Sequence, residues 1–191
     1  MPTRSCGCTV TEAEPEAAVR LLLQRRVDIA LLYRYTNLAT PAHPSVETCT
    51  LRTDPLVAVL RNDHSAARTG RPPIDLRELA GSAWITAPPE TACGSAVLQA
   101  CRSAGFTPRV RHTSTDFTTM IALAATGDHA VLIPRMAAAQ LPPPLIARPV
   151  ADKGLTRTIE TAVRHGTAHE PSIAACLATL RTLDDGAAPA T

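Results

Sequence analysis

Cys93, His112 and Asp116 are the residues of this chain whose types could carry covalent chemistry: a thiol, an imidazole to take its proton and a carboxylate to orient the imidazole. The elements that carry them follow one another along the chain. No wider nucleophile motif surrounds Cys93, and "RVRHTS" sets His112 on a strand, alternating with Val110. Buried cysteine is more often inert than reactive, so no catalytic residue and no enzyme are expected. Nor is a metal. The six cysteines, at 6, 8, 49, 93, 101 and 176, match no zinc spacing. Cys6-x-Cys8 joined to His64 or His129 is the weak remaining set, and Gly166 breaks any helix between His165 and His169. No cofactor is implied.

Binding residues are better marked. "TSTDFTTMIALAATGDHAVLIPR", Thr113–Arg135, puts a polar ledge before an apolar helical pattern and an apolar strand. Thr113, Ser114 and Thr115 offer hydroxyls, and a first helical turn offers free N–H groups. In open α/β sheets, ligands lie beyond strand C-termini, against helix N-termini. The alternative is that Ser114, Thr115 or Asp116 only caps the helix. Both roles stay open, although the charge of Asp116 suits a cap better than an anion contact. "TAPPETACGSAVL" poses the same choice earlier in the chain, at Thr91, Ala92, Cys93 and Gly94. Gly94 would let backbone approach closely; an ordinary capped loop is the alternative.

These residues need strands and helices in alternation, and the sequence supplies them. "EPEAAVRLLLQRR" reads as a helix with Pro15 in its first turn and Val19, Leu22 and Leu23 on one face. "DIALLY" is a buried strand. "VETCTLR" and "PLVAVLR" read as two strands split by Asp54-Pro55, and "CTVT" as a possible earlier one. A polar Gly/Pro stretch at 62–73 precedes the helix "IDLRELAG", the strand "AWIT" and the helix "SAVLQACRSAG", ending at Gly105. "PRVRHTS", "LIARPV" and "RTIETAVR" are strands, "EPSIAACLATLRTL" is an amphipathic helix, and 186–191 form a disordered tail. The pattern is α/β with mostly parallel sheets.

Composition removes other classes. The chain has 191 residues, 45% hydrophobic, enough for one large domain or two lobes. Net charge is +2 and aromatics are 3%, which fits neither a phosphate-binding footprint nor a base-stacking surface. Eighteen of the 19 basic residues are arginine and only Lys153 is lysine, as a GC-rich coding sequence produces. Apolar runs are too short to span a bilayer. No secretory signal precedes the cysteines, so a cytoplasmic, reducing setting without membrane contact is expected.

"EAEPEAAVRLLLQRRVDIALLY", "DPLVAVLRNDHSAA", "IDLRELAGSAWI", "ACRSAGFTPRV" and "ALAATGDHAVLIPR" occur in that order and spacing. In series they resemble the effector-binding (LysR substrate-binding) domain of bacterial LysR-type transcriptional regulators, over roughly 9–184. The resemblance implies a two-lobed, type-2 periplasmic-binding-protein-like fold, each lobe a mostly parallel sheet flanked by helices. Lobe I would take 1–60 and 152–185 and lobe II 61–151, with chain crossings near 58–62 and 149–154. It implies a small anionic or polar effector in the interlobe cleft, a homodimer or tetramer in the intact regulator, and allosteric control of transcription. Glu14 and Tyr33 would then line that cleft opposite Thr91, Cys93, Gly94, Thr113, Ser114 and Thr115. A solvated face is the alternative for Glu14, and a loop anchor for Tyr35. The chain departs from the family in lacking the helix-turn-helix that reads DNA, and in starting after the domain's first strand and helix, so lobe I is expected to be truncated. A free-standing solute-binding or interaction module that titrates an intact regulator is the second reading.

Overall fold

The computed structural model describes residues 7–39, 42–68, 73–152 and 154–185. In chain order the elements are α1 (Pro15–Leu23), β1 (Ile29–Tyr35), β2 (Val46–Arg61), α2 (Ser65–Arg68), a 3-10 turn at Leu76–Leu79, β3 (Ala83–Thr86), α3 (Ala92–Ser103), β4 (Arg109–Thr113), α4 (Phe117–Ala124), β5 (His129–Pro134), a second 3-10 turn at Arg135–Ala138, β6 (Leu145–Pro149), β7 (Thr156–Arg164) and α5 (Pro171–Asp185). They form two compact units. Unit 1 draws on Met1–Tyr33, Pro41–Arg52 and Thr158–Thr191, and unit 2 on Arg34–Thr40 and Thr53–Arg157. The fold is a mixed α/β sheet with flanking helices.

In unit 1 the strand order is β1–β7–β2. Successive strand side chains face opposite ways, and unit 1 uses both faces. Ala30, Leu32 and Ala162 pack with Ala18 and Leu22 of α1, whereas Val163 packs with Ile173 and Leu177 of α5. α1 starts at Pro15, where a missing N–H leaves no bond unmade. Just past its end Arg25 takes the left-handed conformation, with φ 59°. Arg164 then holds the turn: its guanidinium donates to Leu22 O at 3.1 Å and Val27 O at 2.7 Å and pairs with Asp28 at 2.7 Å. A cation donating to carbonyls at and just beyond a helix C-terminus is favourable for both bonding and dipole.

In unit 2 the second half of β2 lies between β5 and β6, antiparallel to both, while β3 lies between β5 and β4, parallel to both. Leu56–Leu60 are each 2% exposed or less, as a strand covered on both faces requires. Trp84 is fully buried, donates its indole N–H to Leu79 O at 3.1 Å and meets the Phe106 ring at 5.9 Å.

Four local expectations need correction. β2 runs unbroken through Asp54-Pro55. Pro55 is tolerated because the ladder to β5 begins at Leu56 and that to β6 at Val57, so its missing N–H is not needed. Residues 8–11 form no strand. The helix expected at Ile74–Gly81 is only a 3-10 turn, closed by a capping box of Asp75 and Glu78. α2 forms inside the polar stretch read as loop. The tail, 186–191, lies outside the described residues.

Candidate functional site

β3 and β4 run side by side and end level, with Thr86 opposite Thr113. The Ser114 N–H donates to Thr86 O at 3.1 Å, which brings the start of the Thr113–Asp116 loop against the end of β3. α3 follows β3 and α4 follows β4, so two helix N-termini stand beyond adjacent parallel strands.

At α4 the capping role of Asp116 is fully developed. Its carboxylate accepts from Thr118 N–H at 3.1 Å, Thr119 N–H at 2.9 Å and Thr119 Oγ1 at 2.7 Å. The Thr119 hydroxyl first, then the two amides, hold its carboxyl below the ordinary aspartate range. Ser114 serves the same turn, its Oγ accepting the Asp116 N–H at 3.1 Å. Thr113 and Thr115 are exposed, and no described residue hydrogen-bonds their hydroxyls.

At α3 the cap is Thr91. Its Oγ1 accepts from Gly94 N–H at 3.0 Å and donates to Pro88 O at 2.8 Å, and Ser95 Oγ donates to Pro89 O at 2.7 Å. The loop therefore folds back over the first turn. A Cβ on Gly94 would lie 2.1 Å from Pro88 O and 2.5 Å from Ala87 O. The close approach that Gly94 permits is that of its own chain. The helix begins earlier than "SAVL" suggested, so Cys93 and Gly94 lie inside it and are buried, while Thr91 and Ala92 are half-buried.

Two residues were not singled out from the sequence. Thr86, at the very end of β3, is 3% exposed, and among the described residues its hydroxyl has no hydrogen-bond partner. A threonine closing an apolar strand before a Pro-rich turn was the available signal. Asn37 was missed too: its Nδ2 donates to Ala96 O of α3 at 2.8 Å, while its Oδ1 is buried with no partner among the described residues.

In unit 1, Glu14 and Tyr33 meet directly, the Tyr33 hydroxyl donating to Glu14 Oε2 at 2.5 Å. Glu14 is the N-cap residue of α1, with no side-chain cap bond of its own. Tyr35 belongs to unit 2 and is 2% exposed, a core residue there.

The chemistry-bearing residues are dispersed. Cys93 is buried in α3, whereas His112 is exposed on β4, its ring edge-on to His129 at 5.4 Å. Burial first, then the His112 charge, pushes His129 below the ordinary imidazole range. Cys101, fully buried in α3, is pushed up to about 12 by burial. His64 looks like the centre of a relay, but Ser82 Oγ at 3.0 Å and Asp128 Oδ1 at 3.3 Å both approach the same Nε2. Its Nδ1 accepts the Ala66 N–H at 3.1 Å, so no carboxylate orients it from behind. Among the described residues no group of three or more His, Cys, Asp or Glu is placed to hold a metal, and Cys6 lies outside them.

Residues 6–184 match the family model of the LysR substrate binding domain. Among solved structures the chain is similar to full-length BenM E226K (TM-score 0.78, 18% identity, covering 95% of this chain and 59% of that one). It is also similar to the BenM effector binding domain with its effector benzoate (TM-score 0.77, 18% identity, 91% and 76%). A third is the C-terminal domain of a probable LysR family transcriptional regulator from Rhodococcus sp. RHA1 (TM-score 0.71, 21% identity, 88% and 81%). The chain thus spans 59% of the full-length BenM variant. No curated protein sequence matches it.

Proposed function

The chain belongs to the LysR substrate-binding domain family, a family of transcriptional regulators, and from that premise we propose that it senses a small anionic or polar metabolite to control transcription. The ligand rests on the strand ends of unit 2, against Thr86, Thr113 and Thr115 and the first turns of α3 and α4. The observation that carries this reading is the set of hydroxyls without partners among the described residues at the ends of two adjacent parallel strands: Thr86 buried, Thr113 and Thr115 exposed. Elsewhere in the two loops the polar groups satisfy one another: Asp116 and Ser114 in one turn, Thr91 and Ser95 in the other. Hydroxyls left free beside helix N-termini suit a ligand that carries hydrogen-bond acceptors.

Binding would act by biasing an equilibrium between conformations of the intact regulator, since a ligand shifts such an equilibrium only by its differential affinity. No covalent step is involved. DNA contact would come from a helix-turn-helix elsewhere in that regulator, and a homodimer or tetramer would carry the signal.

Calorimetric titration with a panel of small carboxylates and hydroxylated neutral compounds tests the reading. At least one should bind the wild-type chain, and Thr113→Val with Thr115→Val should weaken it by roughly tenfold or more, as expected for lost hydrogen bonds in a ligand site. Binding that the double variant leaves unchanged would remove the site from the strand ends.

A further inference from the structure

On the premise that the effector rests at the strand ends of unit 2, the charges placed there narrow its class. Three neighbouring parallel strands, β5, β3 and β4, end on that side. They run out into residues 86–95, residues 113–119 and the turn Arg135–Ala138. In those three segments Arg135 is the sole basic residue, set against Glu90 and Asp116. Other arginines are committed: Arg61 pairs with Asp63, Arg77 with Asp75, Arg157 with Asp54 and Arg164 with Asp28. Arg135 is exposed, and among the described residues no acceptor meets its guanidinium. Its backbone, by contrast, is held. The buried carboxylate of Asp54, paired with Arg157 at 2.9 Å, accepts the next N–H in the chain, that of Met136, at 3.1 Å.

Asp116 has the opposite charge and lies on the opposite side. Its carboxylate already takes the Thr118 and Thr119 N–H groups of the first turn of α4, so a second negative group there is repelled. The strand order β5–β3–β4 therefore sets a free cation at one end and a carboxylate at the other. Between them stand the Thr86 and Thr113 hydroxyls, at the ends of β3 and β4. Ile85 is level with Val131, so Arg135 begins three residues further along β5 than the partner of Thr86. At the rise of a strand that is about 10 Å, a gap that an arginine side chain and a small ligand span together.

We infer that the effector is a small carboxylate with a second, uncharged hydrogen-bonding group, and that Arg135 binds its carboxylate. A guanidinium presents a planar pair of donors that matches the two carboxylate oxygens, and such charge-assisted bonds are the strong ones. The uncharged group meets the threonine hydroxyls on the side where Asp116 disfavours an anion. The ligand thus has one polarity: charged end over β5, neutral end over β4.

Ligand-observed magnetic resonance with the full chain, using a library of hydroxylated carboxylates each matched to its own primary amide, tests this. Lactate with lactamide, mandelate with mandelamide and salicylate with salicylamide are among the pairs. Acids should bind the wild-type chain more tightly than their amides. Arg135→Gln should weaken the acids by roughly tenfold or more and bring each acid level with its amide, whereas Arg135→Lys should recover part of the loss. Added salt should weaken the acids on the wild-type chain and leave Arg135→Gln indifferent. Arg135 is a surface side chain, so the urea midpoint of Arg135→Gln should match wild type. Acids that Arg135→Gln leaves unchanged while Thr113→Val with Thr115→Val weakens them overturn the role of Arg135 and keep the strand-end site. Amides that bind as well as their acids at that site overturn the carboxylate class. Binding indifferent to both sets of variants, or no binding from any pair, overturns the strand-end site and the inference with it.

Discussion

The Tyr33 hydroxyl donates to the Glu14 carboxylate at 2.5 Å, tying the middle of β1 to the start of α1 across nineteen residues of sequence. Both partners reach solvent, so the bond is of ordinary worth. Tyr33→Phe should lower the stability of unit 1 by about 0.5–1.5 kcal/mol, read as a shift in urea midpoint with unchanged slope. If Glu14 and Tyr33 also touch the effector, the same variant should weaken effector binding; unchanged affinity would assign the pair to structure alone.

Gly94 sits where any side chain would enter the backbone of Ala87 and Pro88. Backbone cannot swing aside as a flexible side chain can. Gly94→Ala should therefore destabilise unit 2 by about 1–3 kcal/mol or more, despite alanine's better helix propensity. A denaturation midpoint equal to or above wild type would contradict the close approach.

The Asp116 cap makes a pH prediction. Its carboxyl is held below the ordinary value by Thr119 and Thr118, so the folded state favours the ionised form. That contribution is full above the unfolded-state pKa, about 3.9, and is lost as pH falls through the lower folded value. Thermal melts of wild type and Asp116→Asn should differ at neutral pH and converge in acid. Parallel curves over the whole range would mean the carboxylate charge does not matter.

Asp54 is 2% exposed and accepts from Arg157 at 2.9 Å and from the Met136 N–H at 3.1 Å. Removing one member of a buried pair leaves the other charge poorly compensated, which typically costs about 3–5 kcal/mol. Asp54→Ala should be destabilising on that scale, and the double change Asp54→Leu with Arg157→Met clearly less so. Equal losses in the two variants would indicate that the pair is not coupled.

Among the described residues β1 has a strand neighbour on one side only, while β3 and β5 of unit 2 are flanked on both sides. Amides of 28–33 and 158–163 should therefore exchange faster than those of 83–86 and 130–133 in native-state hydrogen exchange. Equal protection would show that the edge is covered in solution.

Local rules explain most of what could be read from the sequence. The run Ala130–Ile133 is buried as its composition suggested, Pro15 opens α1, and Gly105 leaves α3 with φ 88°. Asp116 was recognisable as a cap because cap chemistry is decided within three residues. What stayed hidden depends on distant partners. Asp54 and Arg157 are 103 residues apart, and nothing local announces their pairing. The solitary Thr86 hydroxyl is a property of its surroundings, not of its neighbours in sequence. Asp54-Pro55 looked like a break because proline cannot join a ladder, yet the ladders of β2 to β5 and β6 begin only after it.

The clamp of Arg164 on Leu22, Val27 and Asp28 has a consequence for the order in which the chain matures. Every residue that unit 2 needs has left the ribosome once Arg157 is out, and that unit can close during synthesis. Unit 1 cannot. Its opening turn waits for a guanidinium made more than a hundred residues later, and its second covering helix comes later still. Until then α1 and β1 stay incompletely satisfied, with their apolar residues in need of shelter. A nascent chain stalled before β7 should bind chaperone holdases through α1 and β1, and release them once Arg164 emerges.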